Sequence, residues 1–189
     1  MRGFNAGYSN KLLVLIDGRS VYDPMFGGVF WEIQDTLIEN IDRIEVIRGP
    51  GASIWGANAV NGVINIITKK ASAGDSLGSI AVGNEQEYIV QGQVAGAFED
   101  ESGAWRAWVR GKSDDPSYSA TRGNAAGNGW SHQRAGFRAD WEPNLTDAVT
   151  VQGDIYNTRL RYFAWNVDPV NGDTIVHNTT DAQGGNALA

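Results

Sequence analysis

Two histidines, no cysteine and a scatter of carboxylates are what this 189-residue chain offers to chemistry. His132 and His177 lack the close spacing of paired metal ligands. The absence of cysteine removes disulfides, thiolate zinc sites and thiol nucleophiles together. Asp114-Asp115 and Glu99-Asp100-Glu101 lie among turn residues and read as solvated loop carboxylates. Gly49-Pro50-Gly51 opens as a phosphate-binding G-x-G-x-x-G does, but Ile54 stands where the third glycine belongs. No Gly-Lys-Ser/Thr follows either. The expectation is therefore no catalytic residues, no metal site, no cofactor and no enzyme. Two denser groupings remain. One is the aromatic-rich run Val21 to Trp31, with Tyr22, Asp23, Met25, Phe26, Phe30 and Trp31, suited to stacking and cation–π contact. The other is the charged set Arg43, Glu45 and Arg48 within six residues.

The elements that carry these groups can be read from period and punctuation. Lys11 to Ile16 is a short buried strand closed by the turn pair Asp17-Gly18. Val21 to Trp31 is interrupted by glycine and proline and reads as a loop. Thr36 to Asn40 reads as a helical turn that Asp35 can cap. Ile41 to Lys70 comes next as one run, IDRIEVIRGPGASIWGANAVNGVINIITKK. Arg43 to Ile47 alternates as a strand, Gly49-Pro50-Gly51 stops it, and Ala52 to Ala57 has room for a helical turn or two. Asn61-Gly62 is a tight-turn pair, and Val63 to Thr68 is β-branched enough for a strand buried on both faces.

Beyond Leu77 the period becomes two. Tyr88, Val90, Gly92, Val94, Gly96 and Phe98 share one face, against Glu87, Ile89, Gln91, Gln93, Ala95 and Ala97 on the other. An extended strand from Tyr88 to Phe98 spans roughly 33 Å, which a barrel tilt projects to about 25 Å, the height of an outer-membrane apolar band. Ala135, Phe137, Ala139 and Trp141 oppose Arg134, Arg138 and Asp140 in the same way. Trp105, Ala107, Val109 and Gly111 oppose Arg106, Arg110 and Lys112, with Trp108 on the charged face as an exception. Val149 to Ile155 and a weaker stretch near Gly78 to Gly83 bring the expected count to about five strands. Glu99 to Gly103 and Glu142 to Asp147 are short connections and Ser113 to Ser131 a long one, an asymmetry typical of bacterial barrels. Phe98, Trp105 and Trp141 all abut the short turns, as an interfacial girdle requires. A soluble β-sandwich also alternates, and alternation alone does not separate the two. No stretch approaches 18 apolar residues, so there is no membrane-spanning helix. The net charge of −7 argues against a general nucleic-acid surface.

The Lys11 to Lys70 region resembles the plug domain of TonB-dependent outer-membrane receptors, through its hydrophobic run ending in Ile16-Asp17-Gly18 and through the Ile41 to Lys70 run. The start, Met1-Arg2-Gly3-Phe4, resembles an internal Ile/Val-Arg-Gly-Phe segment of such plugs rather than a signal peptide. The resemblance implies an α+β plug domain, residues 1–72, followed over 73–189 by the first antiparallel strands of a transmembrane β-barrel of 22 strands. It implies the bacterial outer membrane, energy through TonB by an upstream segment, and import of a scarce nutrient. A ferric siderophore is the first expectation, with cobalamin and haem as other cargoes. In that setting Asn144-Leu145-Thr146 and Asn178-Thr179-Thr180 are not glycosylation sites. Tyr22, Asp23, Met25, Phe26, Phe30 and Trp31 fall where the family's plug loops contact cargo; packing is an equally open role for the first four and the favoured one for Phe30 and Trp31, against the barrel wall. Arg43, Glu45 and Arg48 fall where family plugs present charges for plug–barrel anchoring, and Arg106, Arg110, Arg134 and Arg138 are the barrel-side candidates. A five-strand open sheet neither spans lipid nor transports by itself. The alternative function is a non-transporting ligand-binding or sensor module with a plug-like α+β domain.

Overall fold

The computed structural model describes residues 11–23, 27–56, 58–84, 87–119, 123–125, 128–144, 146–168 and 172–188; for 52, 119, 124, 125, 162–168 and 172–180 it describes the backbone alone. The chain forms two units, residues 1–70 and 71–189.

The first unit is built around strand β1 (Leu12–Ile16). Its sequence, LLVLI, has no polar residue, and it lies at the centre of a sheet where both faces need apolar cover. A two-residue turn joins it to β2 (Arg19–Ser20), with Asp17 at φ 49° and Gly18 at φ 80°. Both central residues are left-handed, as a hairpin turn of this length requires, and an Asp-Gly pair tolerates it. The next element is a two-stranded ribbon, β3 (Tyr22–Asp23) against β4 (Gly28–Val29). Single 3₁₀ turns at Trp31–Ile33 and Ile38–Asn40 lead into β5 (Ile41–Arg48). One helical turn, α1 (Ala52–Trp55), and β6 (Gly62–Thr68) complete the unit. The sheet order is β2-β1-β6-β5, with β1 parallel to β6 and β5 antiparallel to it. Leu12 and Val14 pack with Val21 and Val29 on one face; Leu13 and Leu15 pack with Ala59 and Val63 on the other.

Three local expectations are revised by the structure. Asp35 does not cap the turn before β5: Leu37 occupies the cap position and no side chain bonds to it. Asn61-Gly62 is not a hairpin tip. Gly56, at φ 83°, and Asn58, at φ 71°, are left-handed residues of that connection, and the Asn61 N–H donates instead to the Lys11 carbonyl. The Val21 to Trp31 run, expected as a loop, contains the β3–β4 ribbon, because Gly27 at φ 65° turns the chain back onto Asp23.

The second unit is one antiparallel sheet of β7 (Leu77–Val82), β8 (Tyr88–Ala97), β9 (Gly103–Asp114), β12 (Trp130–Trp141), β13 (Val149–Asp168) and β14 (Gly172–Leu188). Within the long connection, β10 (Tyr118–Ser119) pairs with β11 (Asn124–Ala125). The described strands of this sheet therefore number six where the sequence suggested about five. The polar, glycine-rich stretch after Asn171 is β14, in register with β13 from Gln152↔Leu188 to Asp168↔Gly172. A backbone ladder needs only a partner edge, and β13 supplies it well past the apolar rows.

Burial in this sheet is the reverse of that in a water-soluble one. Gln91, Gln93, Arg106, Arg110, His132, Arg134 and Asp140 are buried, while Val90, Val94, Val109, Phe137, Val151 and Ile155 are exposed. Trp105 and Trp141 stand at the short-turn end of the apolar face. At the opposite end its rows give way to Tyr88, Ser113, Ser131, Arg159 and Asp181, which lie side by side. Trp108 does belong to the polar face. Its ring lies over Gly136 on the next strand, where a Cβ would come within 2.6 Å of it.

Candidate functional site

The candidate cargo surface is the β3–β4 ribbon together with Phe30 and Trp31. Val21 and Val29 are pinned in the core, so the ribbon rises from a fixed base. Tyr22 pairs with Val29 and Asp23 with Gly28, and the Gly27 N–H donates to the Asp23 carbonyl at 2.9 Å. Tyr22 and Asp23 are half-buried, as is Phe30. Trp31 is 47% exposed, so much of its indole is available for stacking. Met25 and Phe26 lie outside the described residues. The structure thus brings Tyr22, Asp23, Phe30 and Trp31 onto one short segment with an aromatic, partly open surface.

The anchor candidates are arranged differently. Arg43 donates through Nε to Glu45 at 2.8 Å and through Nη1 to Asp42 at 2.7 Å. Glu45 accepts a further bond from Asn65 Nδ2 at 3.0 Å. The Arg43 guanidinium, then the Asn65 amide, hold the Glu45 carboxyl below the usual carboxylate range; Glu45, then Asp42, hold Arg43 above its own. Two of the three expected anchors thus bond to each other along one exposed strand. Exposed pairs of this kind contribute little to stability, because solvent screens them. Arg48 is exposed at the end of β5.

Asp17, which sequence reasoning read only as a turn residue, has a second role. Its carboxylate accepts from the Thr68 N–H and from Thr68 Oγ1, both at 2.8 Å. The turn that launches the aromatic ribbon is thereby tied to the last residue of β6. Nothing in the local pattern announces this, because the partners are 51 residues apart.

On the polar face of the second unit, cations meet carboxylates. Arg134 bonds Asp154 at 2.8 Å, Arg138 bonds Asp140 at 2.7 Å, and Lys112 meets Asp114 at 2.9 Å. Arg106 lies 3.9 Å from Asp75, and Arg110 donates to Gln91. His132 Nδ1 and Thr158 Oγ1 are 2.5 Å apart, and the imidazole stacks on Tyr156. A low-dielectric setting makes such pairing mandatory for buried charge. In the short turn after β8, Ser102 bonds hold the Asp100 carboxyl below its ordinary range.

An apolar-out, polar-in sheet and a parallel β1–β6 core with a launched aromatic ribbon form one chain. Residues 1–63 match the family model described as the TonB-dependent receptor plug domain. Residues 1–63 thus carry a TonB-dependent receptor plug domain, and the chain is similar to TonB-dependent receptors. The vitamin B12 transporter BtuB of Vibrio vulnificus is 38% identical over 99 residues, 52% of this chain and 15% of that protein. The chain thus spans less than a fifth of the length of that curated relative. The ferric yersiniabactin uptake receptor FyuA of Yersinia pestis has the same fold over 94% of this chain and 29% of its own, with a TM-score of 0.66 at 17% identity. The siderophore receptor PirA of Acinetobacter baumannii covers 84% of this chain and 24% of its own, with a TM-score of 0.54 at 25% identity. A plug domain followed by antiparallel barrel-type strands is therefore the fold of this chain, and its named relatives are transporters and receptors.

Proposed function

We propose that this receptor chain serves active import of a scarce small-molecule nutrient across the bacterial outer membrane, with TonB as the energy-coupling partner. One observation carries the reading: an exposed apolar face bounded by Trp105 and Trp141, opposite a buried face of Arg, Gln and Asp, directly follows a plug domain in the chain. Lipid is the solvent that rewards such a face, and a plug is of use where a channel must stay closed between transport events. The exposed apolar face weighs against the soluble sensor module.

Tyr22, Asp23, Phe30 and Trp31 are the described residues of the proposed cargo surface, with Met25 and Phe26 on the same segment, and Arg43, Glu45 and Arg48 are proposed to anchor the plug. The aromatic surface suits a ferric siderophore with planar iron-binding groups. A second reading, cobalamin, is favoured by the vitamin B12 transporter among the relatives. The test is uptake by cells expressing the intact receptor, with and without TonB, of iron-loaded catecholates and of cobalamin. TonB-dependent accumulation of one of them, lowered about tenfold by Trp31→Ala, is expected from losing a stacked contact. Accumulation of neither, or uptake indifferent to TonB, would overturn the proposal.

A further inference from the structure

The segment that enters the second unit takes an indirect course. Residues 71–76 precede β7, an edge strand, and could join it directly. They run instead across three neighbouring strands. The Ala71 N–H donates to Asp140 Oδ2 on β12 at 2.7 Å. Asp75 then lies 3.9 Å from Arg106 on β9, and its carbonyl accepts from Gln93 Nε2 on β8 at 2.6 Å. Ser76 Oγ takes the Ala95 N–H at 3.1 Å, and Ser72 N–H donates to Asp75 Oδ2 at 3.1 Å.

Asp140 is prepared for this contact. Its carboxylate already accepts from Arg138 Nε at 2.7 Å, Arg138 Nη2 at 2.9 Å and Thr150 Oγ1 at 2.7 Å. Arg138 and Thr150 hold both oxygens, with Oδ2 directed at the Ala71 N–H. A charge-assisted bond to a backbone N–H in a buried site is among the stronger single contacts a chain can make.

We infer that Asp140 is a positioning residue for import: it seats the entry segment Ala71 to Ser76, the first residues of the second unit, across the polar face of the sheet. This rests on the import reading above. Transport that pulls on the chain before Ala71 needs residues after it that do not follow the pull, and the seat supplies them.

The experiment uses the intact receptor in outer-membrane preparations, with a nitroxide on Gly74→Cys, a site whose Cβ position has open space around it. Asp140→Ala removes the acceptor. Ala71→Pro removes only the donated N–H and leaves Asp140, Arg138 and Thr150 in place, so it decides the matter if Asp140→Ala fails to insert. Asp140→Asn keeps an acceptor oxygen and is expected to fall between the parent and Asp140→Ala. The seat predicts that the first two variants convert the immobilised nitroxide spectrum to a mobile one, and lower TonB-dependent uptake about tenfold with cargo binding retained. An unchanged spectrum in both variants overturns it, as does a mobile spectrum with uptake intact. If the parent itself imports nothing, the import reading fails while the spectra still report on the seat.

Discussion

The two units of this chain put their apolar residues in opposite places. In residues 12–16 and 62–68 the leucines and valines are inside, layered on both faces of a parallel strand pair. In the six-stranded sheet Val90, Val94, Val109, Ile155, Trp105 and Trp141 are outside, and Arg106, Arg134, Gln91, Gln93 and Asp140 are inside. The difference teaches that burial follows the solvent outside as much as the residue. A water-facing surface drives apolar groups inward. A hydrocarbon-facing surface has no such preference and excludes charge instead. Polar side chains then collect on the other face, and only pairing makes that tolerable. Arg134 with Asp154 and Arg138 with Asp140 meet the requirement across and along strands.

The sharpest break between the units would come from one charge placed in each. Val14→Lys puts an ammonium in the fully buried core of the first unit and should cost about 4 kcal/mol or more. Limited proteolysis of the plug would show it, with the barrel band shift on unheated gels retained. The same substitution on the outward face, Val109→Lys, should cost about 2–4 kcal/mol in a bilayer. Urea titration in lipid vesicles would read it, and an effect near zero would mean that Val109 does not face lipid. Gly136→Val tests the polar face: a Cβ there meets the Trp108 ring, and the overpacking should cost about 1–3 kcal/mol by the same titration. Trp108→Ala in the same chain should relieve the strain.

The smallest effect concerns pH. Glu45 has its carboxyl held below the usual range in the folded unit by Arg43 and Asn65. Its contribution is therefore fully present above the ordinary carboxylate value and is lost as pH falls through the lowered one. Because the pair is exposed, the change should be slight and should vanish at high salt. Thermal melts of the receptor between pH 6 and 3 at two ionic strengths, compared with Glu45→Gln, would check the sign; these pH values are chosen to bracket roughly the carboxylate range.

Much of the strand pattern was legible. The alternation over Tyr88 to Phe98 and Ala135 to Trp141 marks the strands that form β8 and β12, because period two arises from the pleat alone. The turn at Asp17-Gly18 was equally local. The β3–β4 ribbon and β14 were not legible, since short or polar strands owe their form to a partner edge rather than to their own composition. Asp35 failed as a cap for a related reason: the 3₁₀ turn Ile38–Asn40 starts from Leu37 rather than from Asp35. For the candidate site, the aromatic residues were visible but not how far each is exposed, and Trp31 differs from Phe30 only through packing.

By itself the sequence determined the resemblance to a plug domain, its place before barrel-type strands, and which residues share a strand face, because motif, turn chemistry and pleat act between near neighbours. Only the tertiary structure decided which face is buried, which charge meets which, that Asp17 holds Thr68, and that Asp140 receives Ala71. Those contacts join residues 51 and 69 positions apart. No local pattern can encode such partners, because they are set by strand register, and register is fixed only when the whole sheet has formed.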